Sequence, residues 1–282
     1  GNYVGNGFVY YQTKDDGPMK IEKVGGQVTV ADQFSGAEVT TQDFVTMDNG
    51  VYYVLDQMVQ PTFHSLMQEL VEHSEYSEFY ELLLGNEEWT TNESNLYSLI
   101  STKSLNMNED NAAIQTFSSY HYTVYVPTNE SIQALHDEGK LPTWDEVEAE
   151  QDEDEKEKMT ERIEKFLKYH IQDNSLYIGQ GKIAEADYET SAYEINGADN
   201  TISYCRLTVE GDDSHLTVKD AAGNKRNVLK NGGLYNLMAR EYQYNTADVA
   251  SASEIYTTSY AVVHQIDGPL MWEKDAETGN ME

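Results

Sequence analysis

The side chains able to do chemistry in this chain are seven histidines, one cysteine and a dense acidic run. His64, His73, His121, His136, His170, His215 and His264 include no pair four residues apart with a glutamate between them, and none stands at zinc spacing from the cysteine. Residues 145–158 hold nine carboxylates and two lysines. That run lacks the ligand alternation and central glycine of a calcium loop, so it reads as a solvated helix or an inserted segment. Asp145 and Glu146 are the nearest approach to a hydrolytic carboxylate pair, yet adjacent acids in such a run read as solvated charge. Cys205 lies in Ile202-Ser203-Tyr204-Cys205-Arg206-Leu207, a strand-like run that predicts a structural thiol rather than a nucleophile. No nucleophile elbow, phosphate-binding loop or dinucleotide fingerprint occurs; Gly5-Asn6-Gly7 and Gly232-Gly233 read as turn glycines. The expectation is a protein that is not an enzyme and uses no cofactor and no metal.

Composition narrows the partners. Fifty acidic against 18 basic residues give a formal charge of −32, which repels a phosphate backbone and an anionic membrane surface alike. Nucleic acid is excluded as a partner on that ground. The charge is compatible with divalent cations, with cationic partners, or simply with solubility, which is the default. A single cysteine cannot form an intrachain disulfide, so stability must come from a core that 21 tyrosines help to fill. No apolar stretch is long enough to cross a bilayer, so no direct membrane insertion is expected in this segment. A first residue of glycine points to processing or trimming of whatever precedes it.

The elements that position these residues fall into three stretches. Residues 1–60 read as short strands at 8–11, 19–24, 28–30 and 51–55, joined by turn pairs Gly25-Gly26 and Asn49-Gly50. After Pro61 the period becomes helical, with Phe63, Leu66, Met67, Leu70 and Val71, then Phe79, Leu82 and Leu83 after a break at 74–77. Thr123-Val124-Tyr125-Val126 is a β-branched and aromatic strand stopped by Pro127, after which Thr128 or Asn129 can cap a helix carrying Ile132 and Leu135. Met159, Ile163, Phe166, Leu167 and Ile171 predict a further helix with Tyr169-His170 near its end. From about 176 onward the chain returns to strands, at 207–209, 216–218 and 260–264. Asn49-Gly50-Val51-Tyr52-Tyr53-Val54-Leu55-Asp56 aligns with residues 259–267, each an apolar strand closed by aspartate, which suggests two related units.

Three segments carry a family resemblance. Thr123-Val124-Tyr125-Val126-Pro127-Thr128-Asn129-Glu130-Ser131-Ile132 resembles the first signature of the fasciclin (FAS1) family. Leu167-Lys168-Tyr169-His170-Ile171 is similar to its central Tyr-His motif, and Ala261-Val262-Val263-His264-Gln265-Ile266-Asp267 to its closing strand, in the family's order. The resemblance implies an α+β fold, a fasciclin-like twisted β-wedge with helices packed along one edge. It assigns Thr123, Pro127, Thr128, Asn129, His264 and Asp267 to the structural motif. It makes Tyr169 and His170 the ligand-binding candidates, because the Tyr-His region is implicated in receptor binding among relatives; a histidine ending an amphipathic helix is otherwise a buried hydrogen-bonding residue.

The resemblance also divides the chain. Residues 1–60 look like the C-terminal half of a preceding fasciclin-like domain, and 61–282 like a fasciclin-like domain with insertions at about 85–115, 140–160 and 225–255. The expected role is noncatalytic adhesion or ligand binding, extracellular or at the cell surface, with a lipid anchor on a missing N-terminal segment as one arrangement. The partner is then a surface protein, a matrix protein or a glycan. The alternative is a glycan- or peptide-binding accessory of an outer-membrane nutrient-uptake system, motivated by the tyrosines. A Tyr-, Asn- and Asp-rich composition without disulfides points towards a bacterial envelope.

Overall fold

The computed structural model describes residues 7–13, 17–33, 37–62, 64–85, 121–230, 234–244 and 255–273. The expected insertion at 85–115 lies outside them apart from Gly85, as do Phe63 and Gly232-Gly233.

Two sheets organise the molecule. The first is a five-stranded antiparallel meander of β1 (Gly7–Gln12), β2 (Pro18–Val24), β3 (Gln27–Ala31), β4 (Glu38–Met47) and β5 (Gly50–Leu55), in that order. Val24 pairs with Gln27 across a two-residue turn in which Gly25 and Gly26 have φ of +57° and +91°. That is the left-handed pair a tight hairpin needs, and glycine adopts it without a Cβ penalty. β4 was not expected from the sequence, because Thr40, Thr41, Gln42 and Asp43 interrupt its apolar alternation.

The second sheet has eight strands in the order β11-β10-β9-β8-β7-β6-β13-β12. These are β6 (His121–Pro127), β7 (Ile171–Asp173), β8 (Ile183–Ile195), β9 (Ile202–Gly211), β10 (Leu216–Lys219), β11 (Lys225–Asn227), β12 (Leu237–Tyr244) and β13 (Ile255–Ile266). β6 and β13 run parallel, with Val124 opposite Val263 and Tyr125 opposite His264. A bridge from Val228 to Ile266 brings the chain just past β11 back onto β13, so the sheet curls.

Helices cover this sheet. α1 (Leu66–Glu72) opens on a reciprocal Ser65–Gln68 capping box, and a 3₁₀ turn (Ser74–Tyr76) leads into α2 (Ser77–Leu84). α3 (Asn129–Asp137), α4 (Trp144–Ala149) and α5 (Glu153–Tyr169) follow β6. The core joins Leu66, Leu70, Phe79, Leu83, Ile132, Ile163 and Phe166 from helices to Val124, Val209, Val218 and Val263 from strands. Val71, placed on the apolar stripe by its spacing, is exposed instead. The whole is the expected α+β architecture: curled sheets with a helical layer.

The first sheet repeats the hydrogen-bond plan of the second. β3 pairs with β4 as Thr29–Thr40 and Val30–Val39; β10 pairs with β11 as Thr217–Asn227 and Val218–Arg226. Asp56 donates its N–H to the Thr40 carbonyl at 3.1 Å and accepts the Thr40 N–H at 3.0 Å. Asp267 makes the same two bonds with Asn227, at 3.1 and 3.0 Å. Buried Asp32 accepts the N–H of Gln60 at 2.8 Å, and buried Asp220 that of Met271 at 2.9 Å. Gln60 and Met271 each stand four residues beyond the closing aspartate.

Candidate ligand-binding cleft

The signature residues are placed first by their hydrogen bonds. β6 ends at Pro127, which lacks the N–H to extend the ladder, and Thr128 stands at the N-cap of α3 with no side-chain capping bond. Asn129 caps a different helix from the one expected. Its Oδ1 accepts the N–H of Glu78 in the first turn of α2 at 3.3 Å, while Nδ2 donates to the Ser74 carbonyl at 2.8 Å and to Ser77 Oγ at 3.0 Å. One amide thus ties the start of α3 to the start of α2, across about fifty residues of chain. Thr123, inside β6, donates to the Asn174 carbonyl at 2.8 Å and accepts the N–H of Leu176 at 3.0 Å.

Tyr169 and His170, the expected ligand-binding pair, are both fully buried. α5 ends against the sheet and the chain enters β7 at once, so its last turn faces inward. Tyr169 Oη donates to the Arg206 carbonyl and accepts the N–H of Ala221, each at 3.0 Å. His170 Nδ1 donates to the Phe166 carbonyl at 2.7 Å, and Nε2 accepts the N–H of Leu270 at 3.0 Å. His264 has the opposite tautomer: Nε2 donates to the Leu176 carbonyl at 2.8 Å and Nδ1 accepts the N–H of Asn236 at 3.2 Å. Burial pushes both imidazoles down to about 4, so each ring is neutral at physiological pH. Asp267 is exposed and spends its carboxylate on Asn227.

The acidic run forms helix starts. Glu146 closes a capping box on Thr143, and Asp152 caps α5 through the N–H groups of Asp154 and Glu155. Asp145 and Glu146 face solvent as neighbours in the first turn of α4. Burial raises the Cys205 thiol, which disfavours a nucleophilic thiolate. Among the described residues no group of three or more His, Cys, Asp and Glu is arranged to hold a metal ion, and no helix is long and apolar enough to cross a membrane.

A cleft opens where the two sheets meet. β1 packs on the loop after β7: Phe8 lies against Gly179, where an added Cβ would stand 2.3 Å from the ring, and Tyr10 stacks on Tyr177 with centroids 5.1 Å apart and planes 14° from parallel. Gly17 similarly admits the Tyr260 ring, which stacks on His121 at 6.0 Å. Between these contacts lies a cavity of about 300 Å³, lined by Tyr10, Tyr11, Gln12, Pro18, His121, Asn174, Ser175, Tyr177 and Gln180. That is the lower end of the range for small-molecule sites. No acidic residue lines it, although the chain carries 50. Burial pushes the Tyr10 and Tyr177 phenols up to about 12, so both keep their hydroxyl protons as donors. Aromatic faces beside amide and hydroxyl groups suit a neutral, polyhydroxylated ring. No motif marks this site in the sequence; its nearest trace is Tyr177-Ile178-Gly179-Gln180-Gly181, an aromatic beside two glycines of positive φ.

Comparison with known proteins gives a family match and a similar solved structure. The Fasciclin domain model matches residues 94–272. A solved structure of a FAS1 domain pair from the insect cell adhesion molecule fasciclin I is similar at 13% identity and a TM-score of 0.33, covering 90% of this chain and 66% of that one. This chain thus spans just under two thirds of that protein's length. No curated protein matches.

Proposed function

The chain belongs to the fasciclin family, and from that premise we propose that it is a noncatalytic adhesion or ligand-binding module whose capture site is the cleft between the sheets. The domain type occurs in adhesion-related extracellular proteins and is characteristically extracellular or surface-associated. The observation that carries the proposal is the cleft itself: aromatic and amide-lined, with no carboxylate, lysine or arginine, in a protein of charge −32. The histidines of the motifs support a noncatalytic reading, since both ring nitrogens of His170 and of His264 are tied to backbone groups.

The lining favours a glycan over a charged peptide, which also fits a glycan-holding accessory of a nutrient-uptake system in a bacterial envelope. Residues 1–60 are, in the same proposal, the C-terminal half of a preceding fasciclin-like unit, supported by the repeated aspartate bonds. The test is a glycan and matrix-protein array probed with the intact chain, followed by titration calorimetry of any hit on the Tyr177→Ala variant. Removing one stacking ring costs about 1 kcal/mol, or roughly fivefold in affinity. Hits whose affinity Tyr177→Ala leaves unchanged would place binding elsewhere, and an array with no saturable hit would refute capture of these ligand classes.

A further inference from the structure

β5 and β13 are equivalent strands in unequal surroundings. Aligning Asp56 with Asp267 places Tyr52 at the position of Val263, Tyr53 at that of His264 and Val54 at that of Gln265. β13 carries β12 antiparallel on one edge and β6 parallel on the other. β5 carries β4 antiparallel on the corresponding edge, and among the described residues no strand pairs with its other edge.

The side chains differ in the same way. Consecutive Val262 and Val263 of β13 point to opposite faces, and both are fully buried. A strand covered on both faces reads as a continuous apolar run, and Val51-Tyr52-Tyr53-Val54-Leu55 is such a run. Yet Tyr52 and Tyr53 are 59% and 45% exposed, and Phe44, Val45 and Met47 of the paired β4 are exposed too. Apolar groups on both faces of one exposed hairpin, beside an open ladder of N–H and C=O groups, form a site for strand addition.

We propose that the open edge of β5 receives, in parallel, the first-half strand of a fasciclin unit: a segment of the chemistry of β6, an apolar β-branched and aromatic strand ended by proline. This rests on reading residues 1–60 as the second half of such a unit. The chain itself supplies the template, because β6 fills the equivalent edge of β13 with Val124 opposite Val263 and Val126 opposite Gln265. By equivalence the incoming strand sets its Val124 position opposite Tyr52 and its Val126 position opposite Val54.

The experiment uses the intact chain and a synthetic peptide of residues 121–128, with a scrambled peptide as control. Hydrogen exchange at the amides of residues 50–55 is expected to slow at least about tenfold with the peptide and not with the scramble. Register is read by disulfide trapping in a Cys205→Ser, Val54→Cys chain. Parallel addition makes a Val126→Cys peptide cross-link faster than a Tyr122→Cys peptide, and antiparallel addition reverses the order. Equal protection by the scramble, the reversed order, or self-association through β5 without a response to peptide would each overturn the proposal. The amides of Thr40 and Gln60 report the underlying reading separately. If Asp56→Ala and Asp32→Ala release their protection while no peptide binds, the half-unit stands and only strand addition falls. If both amides exchange freely in the parent chain, the half-unit reading falls as well.

Discussion

The two buried histidines make acid stability a direct test of the core. Both rings are neutral when folded, with values pushed down from 6.5 to about 4 by burial, His170 also feeling the Arg226 charge. In the unfolded chain they recover an ordinary value near 6.5, so below that pH the unfolded state binds protons that the folded state refuses. Stability is therefore complete above 6.5, declines as pH falls, and bottoms out below 4. The gap, at about 1.36 kcal/mol per pH unit, is worth about 3 kcal/mol per ring when fully expressed. At pH 5 it is about 2 kcal/mol per ring, roughly 4 kcal/mol for both, against a total of about 5 to 15 kcal/mol for a typical domain. The assay is urea unfolding followed by tryptophan fluorescence at pH 7, 6 and 5, on the parent and on a His170→Asn, His264→Gln double variant. Asn keeps a donor near the Phe166 carbonyl and Gln one near the Leu176 carbonyl, so the variant loses the titration before it loses the packing. Many carboxylates titrate in both proteins, and taking the difference removes them. The parent is expected to lose about 4 kcal/mol more than the variant between pH 7 and 5, uptake of nearly two protons on unfolding. Parallel pH curves for the two proteins would refute buried neutral imidazoles.

Two further perturbations probe the joints of the fold. Asn129→Ala should cost about 1 to 2 kcal/mol, since it uncaps α2 and frees the Ser74 carbonyl, whereas Thr128→Ala should stay within about 0.5 kcal/mol; paired thermal melts decide between them. Gly179→Ala combines a φ of +101° with a Cβ 2.3 Å from Phe8, and should destabilise by about 1 to 3 kcal/mol; adding Phe8→Ala should recover the steric part, and a cycle with no coupling would deny the contact.

The legible parts of the sequence were those with local causes. β6 shows because β-branched and aromatic residues run unbroken to a proline, and β2–β3 because two adjacent glycines supply the turn. β4 was hidden because its ladder is supplied by neighbours while its own side chains alternate poorly. The partner of Asn129 was hidden for a related reason: cap preferences name a residue type, and the helix that uses it is chosen by tertiary contact. The cleft was the least legible, since Tyr10 and Tyr177 come from strands and loops separated by most of the chain. Neither segment has the spacing of a known site by itself.

The division of labour between motif and surface follows from the hydrogen bonds. Thr123, Tyr169, His170 and His264 each use polar atoms on backbone groups of other segments, His170 through Nε2 while its Nδ1 closes its own helix, so their chemistry is spent on joining β6, α5, β13 and the loop after β7. The proposed capture site is built from atoms outside that network, in the carboxylate-free cleft where β1 docks on the loop after β7. A ligand bound there bridges the first sheet and the second, and so must stabilise their contact by the free energy of its own binding. On the proposed capture reading, ligand affinity and the docking of the first sheet are one coupled quantity: Phe8→Ala, which loosens the contact with Gly179, is expected to weaken capture in calorimetry even though neither residue lines the cavity, and an unchanged affinity would refute the coupling.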